Sequence, residues 1–159
     1  MKANKGLMAL FILCACGGPQ TDLPLQTDVQ SFFADCKKYG DPSSYLLCES
    51  GKKRQIEIKF VDSLPIHGIK GMCSTEVVGT SEILILKSNW GESQLKATIY
   101  HELGHCILGY KHIGENSEGI MFPRVRPEDY WKKNIVRLIP ELFNNSCPDK
   151  NPFMCRISR

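Results

Sequence analysis

The deciding stretch of this sequence is His101-Glu102-Leu103-Gly104-His105-Cys106-Ile107-Leu108-Gly109-Tyr110-Lys111-His112. It contains three of the four histidines in the chain. On a helix, His101 and His105 lie one turn apart and point the same way, so both imidazoles can bind one metal ion. Glu102 is offset by about 100° around the helix and can reach a metal-bound water without binding the metal. The pattern predicts one zinc ion, with Glu102 as the general base of a hydrolytic reaction.

The third zinc ligand has to come from outside the first helical turns. A catalytic zinc takes three protein ligands and keeps a fourth position for water. His112 is the predicted third ligand, because Gly109 can adopt a positive φ and turn the chain back toward the metal. Glu118 and Glu128 are the alternatives if His112 does not reach it. The remaining histidine, His67, lies in a loop and is expected at the surface.

Hydrophobic periodicity around this stretch predicts both helices and strands. Helices are expected at 25–39, at 94–108 and from 128 onward, and strands at 55–61, 76–78 and 83–86. The apolar side of the 94–108 helix lies opposite His101 and His105 and should face the core. Gly40-Asp41-Pro42 is expected to end the first helix, and Pro140 should kink or break the last one.

A further motif comes after the third histidine, Gly119-Ile120-Met121-Phe122-Pro123. With this turn, the stretch 99–123 resembles the metzincin clan of zinc peptidases, and its matrixin branch in particular. The family pattern is HExxHxxGxxH followed by a methionine-containing turn. In this chain the glycine and the third histidine each come one position later. The resemblance implies that Met121 forms an apolar floor beneath the metal without binding it.

The resemblance also implies a fold and an activity. The expected fold is α+β, a compact zincin-like domain with a small twisted β-sheet, an active-site helix and a C-terminal helix. By analogy, the strand at 83–86 would be the edge strand that aligns an extended substrate. The expected function is a zinc-dependent endopeptidase that acts on a protein or peptide. The alternative functions are a catalytically silent zinc-binding protein and a structural envelope lipoprotein.

The N-terminal residues have the layout of an exported lipoprotein. A short basic segment precedes an apolar one that is too short to remain as a membrane-spanning helix. The small residue before Cys16 resembles a bacterial lipobox, and Gly17 and Gly18 resemble a sorting pattern for the outer membrane. The predicted organisation is a signal peptide at 1–15, a lipidated cysteine and tether at 16–24, and one metallopeptidase-like domain at 25–159.

The net charge of the mature protein limits which classes of partner are expected. Removal of the signal takes away two lysines and lowers the formal net charge from +3 to about +1. A nearly neutral domain gives no electrostatic reason to bind nucleic acid. The expected location is the bacterial cell envelope, attached to the outer membrane by the lipid on Cys16. The protein is expected to act as a monomer.

The cysteines after Cys16 are even in number, which in an oxidising compartment favours disulfides. They are Cys36, Cys48, Cys73, Cys106, Cys147 and Cys155. Six cysteines allow 15 pairings. Loop length favours Cys36–Cys48 and Cys147–Cys155, and this leaves Cys73–Cys106 to tie a loop to the motif helix. A cysteine zinc site is the weaker interpretation, because the sequence contains no CxxC pair after the lipobox.

Overall fold

The computed structural model describes residues 23–53, 55–75, 80–114 and 117–144. In chain order these residues form α1 (Leu23–Tyr39), α2 (Pro42–Lys52), β1 (Gln55–Val61), β2 (Gly71–Thr75), β3 (Thr80–Leu86), α3 (Glu92–Leu108) and α4 (Glu128–Asn144). The mixed α+β class expected from the sequence is confirmed. The predicted signal peptide, Cys16, Cys147 and Cys155 lie outside the described residues.

Within the described chain, none of the helices combines the length and the apolar character that a membrane span requires.

The strands form a small mixed sheet in the order β1-β3-β2. β1 runs parallel to β3, and β2 runs antiparallel to it. The strand expected at 83–86 is therefore the centre of the described sheet and not its edge. Alternate residues of β3 are buried, so one face of this central strand packs against the core. The edge strand beside the histidine helix is β2, and the short strand predicted at 76–78 lies outside the described residues.

The core is organised around α3, which contacts the other three helices as well as β2 and β3. Its apolar side is buried as the periodicity predicted, with Ile99 and Leu103 fully enclosed. Phe32 of α1 packs edge-on against Tyr100 of α3 and against Phe143 of α4. This packing fixes α3 between the sheet and the other helices, so that its opposite side can present the histidines.

The helix α2 was not expected from the sequence pattern. The residues that end α1 also start this helix: the Asp41 carboxylate accepts a hydrogen bond from the Ser44 N–H at 2.8 Å, and Pro42 occupies the first turn. An aspartate cap followed by proline is a frequent helix start. The predicted Cys36–Cys48 disulfide is confirmed and joins α1 to α2.

Pro140 was expected to kink or break the last helix. It does not break it, because α4 continues through Pro140 to Asn144. Proline removes one backbone hydrogen bond, here the bond to the carbonyl of Val136 one turn earlier. The Val136 side chain is 81% exposed. This position therefore lies on the side of α4 that solvent reaches, where water can replace the lost donor.

Candidate metal centre

Two of the predicted ligands lie on α3, and the third is brought back by the end of that helix. α3 ends at Leu108, and Gly109 caps it in the left-handed conformation with φ 67°. The Tyr110 N–H then donates to the Gly104 carbonyl at 3.0 Å, which holds the chain close to the helix end. From this turn the chain runs back over the face that carries His101 and His105, and His112 joins them.

The three predicted ligands converge on one point. The Nε2 atom of His101 lies 3.1 Å from that of His105 and 3.1 Å from that of His112. The Nε2 atoms of His105 and His112 are 3.2 Å apart. Among the described residues, this cluster is the one whose ligand atoms lie close enough to hold a metal ion together. The later position of the third histidine does not prevent its approach.

The hydrogen bonds of the rings define which nitrogens are free to bind. His101 Nδ1 lies 2.8 Å from the Ile120 carbonyl, and His105 Nδ1 lies 2.6 Å from the Tyr110 carbonyl. A carbonyl oxygen only accepts, so each Nδ1 carries the proton and donates it. In the neutral rings both Nε2 atoms then expose lone pairs to each other at 3.1 Å. A cation between them turns this repulsion into ligation, and carbonyl-bound Nδ1–H groups commonly orient metal-binding histidines.

The donor set fits zinc. Zinc–nitrogen bonds of about 2.0–2.1 Å with near-tetrahedral angles separate the ligand nitrogens by roughly 3.1–3.4 Å. The distances of 3.1 to 3.2 Å between the Nε2 atoms fall in this range. Burial lowers the pKa of His101 to about 4, an effect reinforced by its histidine neighbours and opposed by the Ile120 carbonyl. Burial likewise lowers the pKa of His105. Both rings are therefore neutral near pH 7, the form that binds metal.

Glu102 lies in the same cleft and is almost fully buried, with 6% of its surface exposed. Its carboxylate accepts a hydrogen bond from the backbone N–H of Cys73 in β2. Burial raises the pKa of Glu102 to about 7, and the Cys73 N–H opposes this change. A carboxylate with a pKa close to neutral can both take and return a proton at physiological pH.

The Met121 turn packs against α3 next to the histidines. Met121 is buried, and its Sδ packs so closely on Gly104 that an added Cβ there would lie 2.6 Å away. Gly104 stands between the first two histidines in the chain. The Ile113 N–H donates to the Met121 carbonyl at 3.0 Å, which ties the turn to the segment after His112. These contacts place an apolar side chain against the part of α3 that carries the histidines. The role of Met121 as a floor beneath a metal stays a prediction.

The segment after this turn is held by a contact that sequence analysis did not identify. The Arg126 guanidinium lies 4.1 Å from the ring centre of Phe122 and 4.4 Å from that of Tyr130. It also donates to the Ser117 carbonyl at 2.8 Å. Cation–π stacking and this hydrogen bond link both ends of the loop to α4.

The histidines and Glu102 open into a cleft of about 590 Å³. The edge strand β2 and the loop before it line one side, and α3, α4 and the segment after the Met121 turn line the other. Much of this second side is apolar, with contributions from Ala97, Phe122, Pro123, Val125 and Trp131. The cleft is therefore large enough for a peptide side chain beside the three histidines.

The alternative ligands are not in this cluster. Glu118 is exposed and forms an ion pair with Arg137 at 2.9 Å. Glu128 instead caps α3: its two carboxylate oxygens accept from the Ser93 N–H at 3.3 Å and the Gln94 N–H at 2.7 Å. The N-cap of α3 is a glycine without a capping side chain, so Glu128 takes that role. His67 lies exposed in the loop before β2, as expected.

The predicted Cys73–Cys106 disulfide is confirmed, and it joins β2 to α3 with a Cα–Cα distance of 5.8 Å. The contact between β2 and Glu102 was not expected from the sequence. A Cβ at Gly71 would lie 2.6 Å from Glu102 Oε1, so the carboxylate packs directly on the strand backbone. The glycine was visible in the sequence, but nothing there indicated which side chain it faces.

Comparison of the chain with models of protein families, with curated proteins and with solved structures found no match. The case for a function therefore depends on the geometry of the site.

Proposed function

We propose that this protein is a zinc-dependent endopeptidase of the metzincin type, with His101, His105 and His112 as zinc ligands and Glu102 as general base. The observation that carries the proposal is the convergence of three Nε2 atoms within 3.1 to 3.2 Å of one another. The second support is the buried carboxylate in the same cleft. Three nitrogens, one nearby base and an open side are what metal-assisted hydrolysis requires.

Zinc in this site would polarise the substrate carbonyl and lower the pKa of a bound water. The protein residues perform the other steps. The Glu102 carboxylate takes the proton of the attacking water and returns it to the nitrogen of the leaving amine. The Cys73 N–H holds that carboxylate in place. The carbonyls of Ile120 and Tyr110 keep the Nδ1 protons of His101 and His105 on the side away from the zinc.

The edge strand β2 is the proposed binding surface for an extended peptide. Its antiparallel partner β3 covers one side, and Gly71, Met72 and Cys73 line the cleft. Exposed strand edges bind extended peptides through backbone hydrogen bonds. The apolar wall opposite would receive a side chain of the substrate. β2 thus takes the role that sequence analysis gave to the strand at 83–86.

The proposed location is the bacterial cell envelope, with a lipid on Cys16 as anchor to the outer membrane and with proteins or peptides there as substrates. The support is the sequence pattern at 1–18. Two disulfides among the described residues suit an oxidising compartment. The proposed acting form is the monomer, with no nucleic-acid partner.

Metal analysis of the purified, oxidised protein tests the site. The wild type should contain one zinc per chain. His112→Ala should lower zinc affinity more than about 100-fold. Loss of a residue that only orients a ligand costs at most about 100-fold, so a larger loss identifies His112 as a ligand. His67→Ala is the matched control, since it removes an exposed histidine outside the cluster, and it should bind zinc like the wild type. A folded wild type without zinc would refute the metal site.

Cleavage of a mixed peptide library, followed by mass spectrometry, tests the activity. The wild type should cut peptides, and Glu102→Gln should lose at least about 100-fold in kcat while it keeps its zinc, because a general base contributes about 10²–10⁴-fold. A wild type that holds zinc but cuts no peptide would support the catalytically silent zinc-binding alternative. A protein that neither binds zinc nor cuts would be the structural lipoprotein.

A further inference from the structure

The general base is held from outside its own helix. Gly71 and Cys73 are alternate residues of β2 and therefore face the same side of the strand. Both meet Glu102: Gly71 by direct packing against the carboxylate, and Cys73 through its backbone N–H. Among the described contacts, those that fix the Glu102 side chain thus come from β2.

The strand that holds Glu102 is bonded covalently to the helix that carries it. The Cys73 side chain forms the disulfide with Cys106 of α3. Cys106 lies four residues after Glu102, one helical turn further along the same side of α3. Cys73 therefore makes two links to adjacent turns of one helix, a hydrogen bond to Glu102 through its N–H and a covalent bond to Cys106 through its sulfur.

The disulfide contributes strongly to the position of β2, because β2 is an edge strand. In the described sheet it pairs only with β3. Its other edge faces the cleft, where a substrate would bind. Backbone pairing therefore fixes β2 along one edge alone, and the bond to Cys106 is its covalent attachment to α3.

We propose that the Cys73–Cys106 disulfide is a positioning element for the general base, so that catalysis depends on this bond while zinc binding does not. The inference rests on the proposed peptidase function. Without the bond, β2 can move relative to α3, and the Cys73 N–H leaves the Glu102 carboxylate. The three histidines keep their places, because His101 and His105 are oriented by carbonyls of 110 and 120, outside β2.

The second disulfide provides a matched control. Cys36–Cys48 joins α1 to α2, and neither helix contributes a residue to the cleft. Cys73→Ala/Cys106→Ala and Cys36→Ala/Cys48→Ala each remove one bridge, and each variant loses stability. Alanine at 73 retains the backbone N–H, so the first variant removes the tether and not the hydrogen-bond donor.

The experiment compares zinc content, kcat and KM of both double variants and the wild type, at a temperature where circular dichroism shows all three folded. Cys73→Ala/Cys106→Ala should keep one zinc and lose about 10- to 100-fold in kcat, because a displacement of about 1 Å can cost about 10²-fold. Its KM should change less than kcat. Cys36→Ala/Cys48→Ala should retain the wild-type kcat.

A double-mutant cycle separates positioning from general damage. In a Glu102→Gln background, removal of the Cys73–Cys106 bond should cause no further loss of the residual rate. If the double cysteine variant does not fold, the Cys36→Ala/Cys48→Ala protein is treated with a dithiol instead. Each reduced bond takes two electrons and two protons and leaves the reagent as a cyclic disulfide. Activity should then fall in step with free thiol at 73 and 106, measured by alkylation and mass spectrometry.

The outcomes separate the two proposals. An active wild type together with an equally active Cys73→Ala/Cys106→Ala variant overturns the positioning role alone. Equal losses in both double variants also overturn it, since stability would then explain them. Loss of zinc with the bond would assign the disulfide to the metal site, against the proposal. A wild type that binds zinc but has no peptidase activity overturns the proposed function, and the positioning role with it.

Discussion

Gly71→Ala tests the packing of Glu102, the proposed general base, by adding one methyl group. Among the described glycines, only Gly68 and Gly109 have a positive φ, so alanine at 71 places no strain on the backbone. The new Cβ would lie 2.6 Å from Glu102 Oε1, 2.8 Å from its Cγ and 2.9 Å from its Cδ. Carbon atoms pack best at about 3.5–4.0 Å, so the carboxylate must move by roughly 0.6 Å or more.

The expected result depends on the size of this displacement. A shift of about 1 Å at a catalytic group can cost about 10²-fold, so Gly71→Ala should lower kcat by roughly 10- to 100-fold. Zinc content should stay at the wild-type value, because the three atoms nearest to the added Cβ all belong to Glu102 and none to a histidine. The assay is steady-state cleavage of the best library peptide, with zinc measured on the same sample.

Gly114→Ala is the control, since among the described residues a Cβ there would meet only the Ser117 Oγ at 4.0 Å. It should leave kcat unchanged. If Gly71→Ala retains zinc and cleaves within about twofold of the wild type, the carboxylate does not need the position that β2 gives it, and the reasoning from this contact is refuted.

Three further predictions concern stability, each measured by urea unfolding of the metal-free protein. Glu128→Ala removes the cap of α3 and should cost about 1 kcal/mol or more, whereas Glu141→Ala, which removes an exposed ion pair, should change little; equal effects would argue against the cap. Burial raises the pKa of Asp28, opposed by Lys96 and assisted by Glu92. The folded chain therefore holds that proton to higher pH than the unfolded chain, and stability falls as pH rises through this window. Asp28→Asn should then be more stable than the wild type near pH 7 but not near pH 3, and a constant difference would contradict the cause. Gly104→Ala would place a Cβ 2.6 Å from Met121 Sδ and should cost about 1–3 kcal/mol; an unchanged midpoint would mean that the methionine moves aside freely.

Long amphipathic segments were the part of the fold that the sequence could predict. The helices α1, α3 and α4 and the strand β1 could be placed by spacing alone, because each buries one face against the core. The start of α2 at Asp41 and Pro42 was visible but was interpreted only as an end of α1. The order of the strands could not be predicted from their hydrophobic patterns. A buried strand has the same run of apolar residues whether it lies at the centre of a sheet or at an edge that other elements cover.

The cluster of three histidines was predictable for a related reason. His101 and His105 lie one turn apart, so a helix alone brings them together. The glycine before His112 lets the chain turn back toward them. The contacts around Glu102 were not predictable, because Gly71 and Cys73 are 31 and 29 positions away in the chain. Long-range contacts of this kind depend on how β2 packs on α3, and no local pattern in a single sequence specifies that packing.

The left-handed turn at Gly109 has a consequence for how such sites are recognised and how they can change. One added residue in an α-helix rotates the residues after it by about 100° and advances them by about 1.5 Å. The turn absorbs this offset, since the Tyr110 carbonyl still meets His105 and His112 still reaches the cluster. A search pattern with a fixed interval between the second and third histidines would therefore pass over this chain. The number of residues between the second and third histidines therefore need not be fixed for their Nε2 atoms to converge, as long as a glycine reverses the chain.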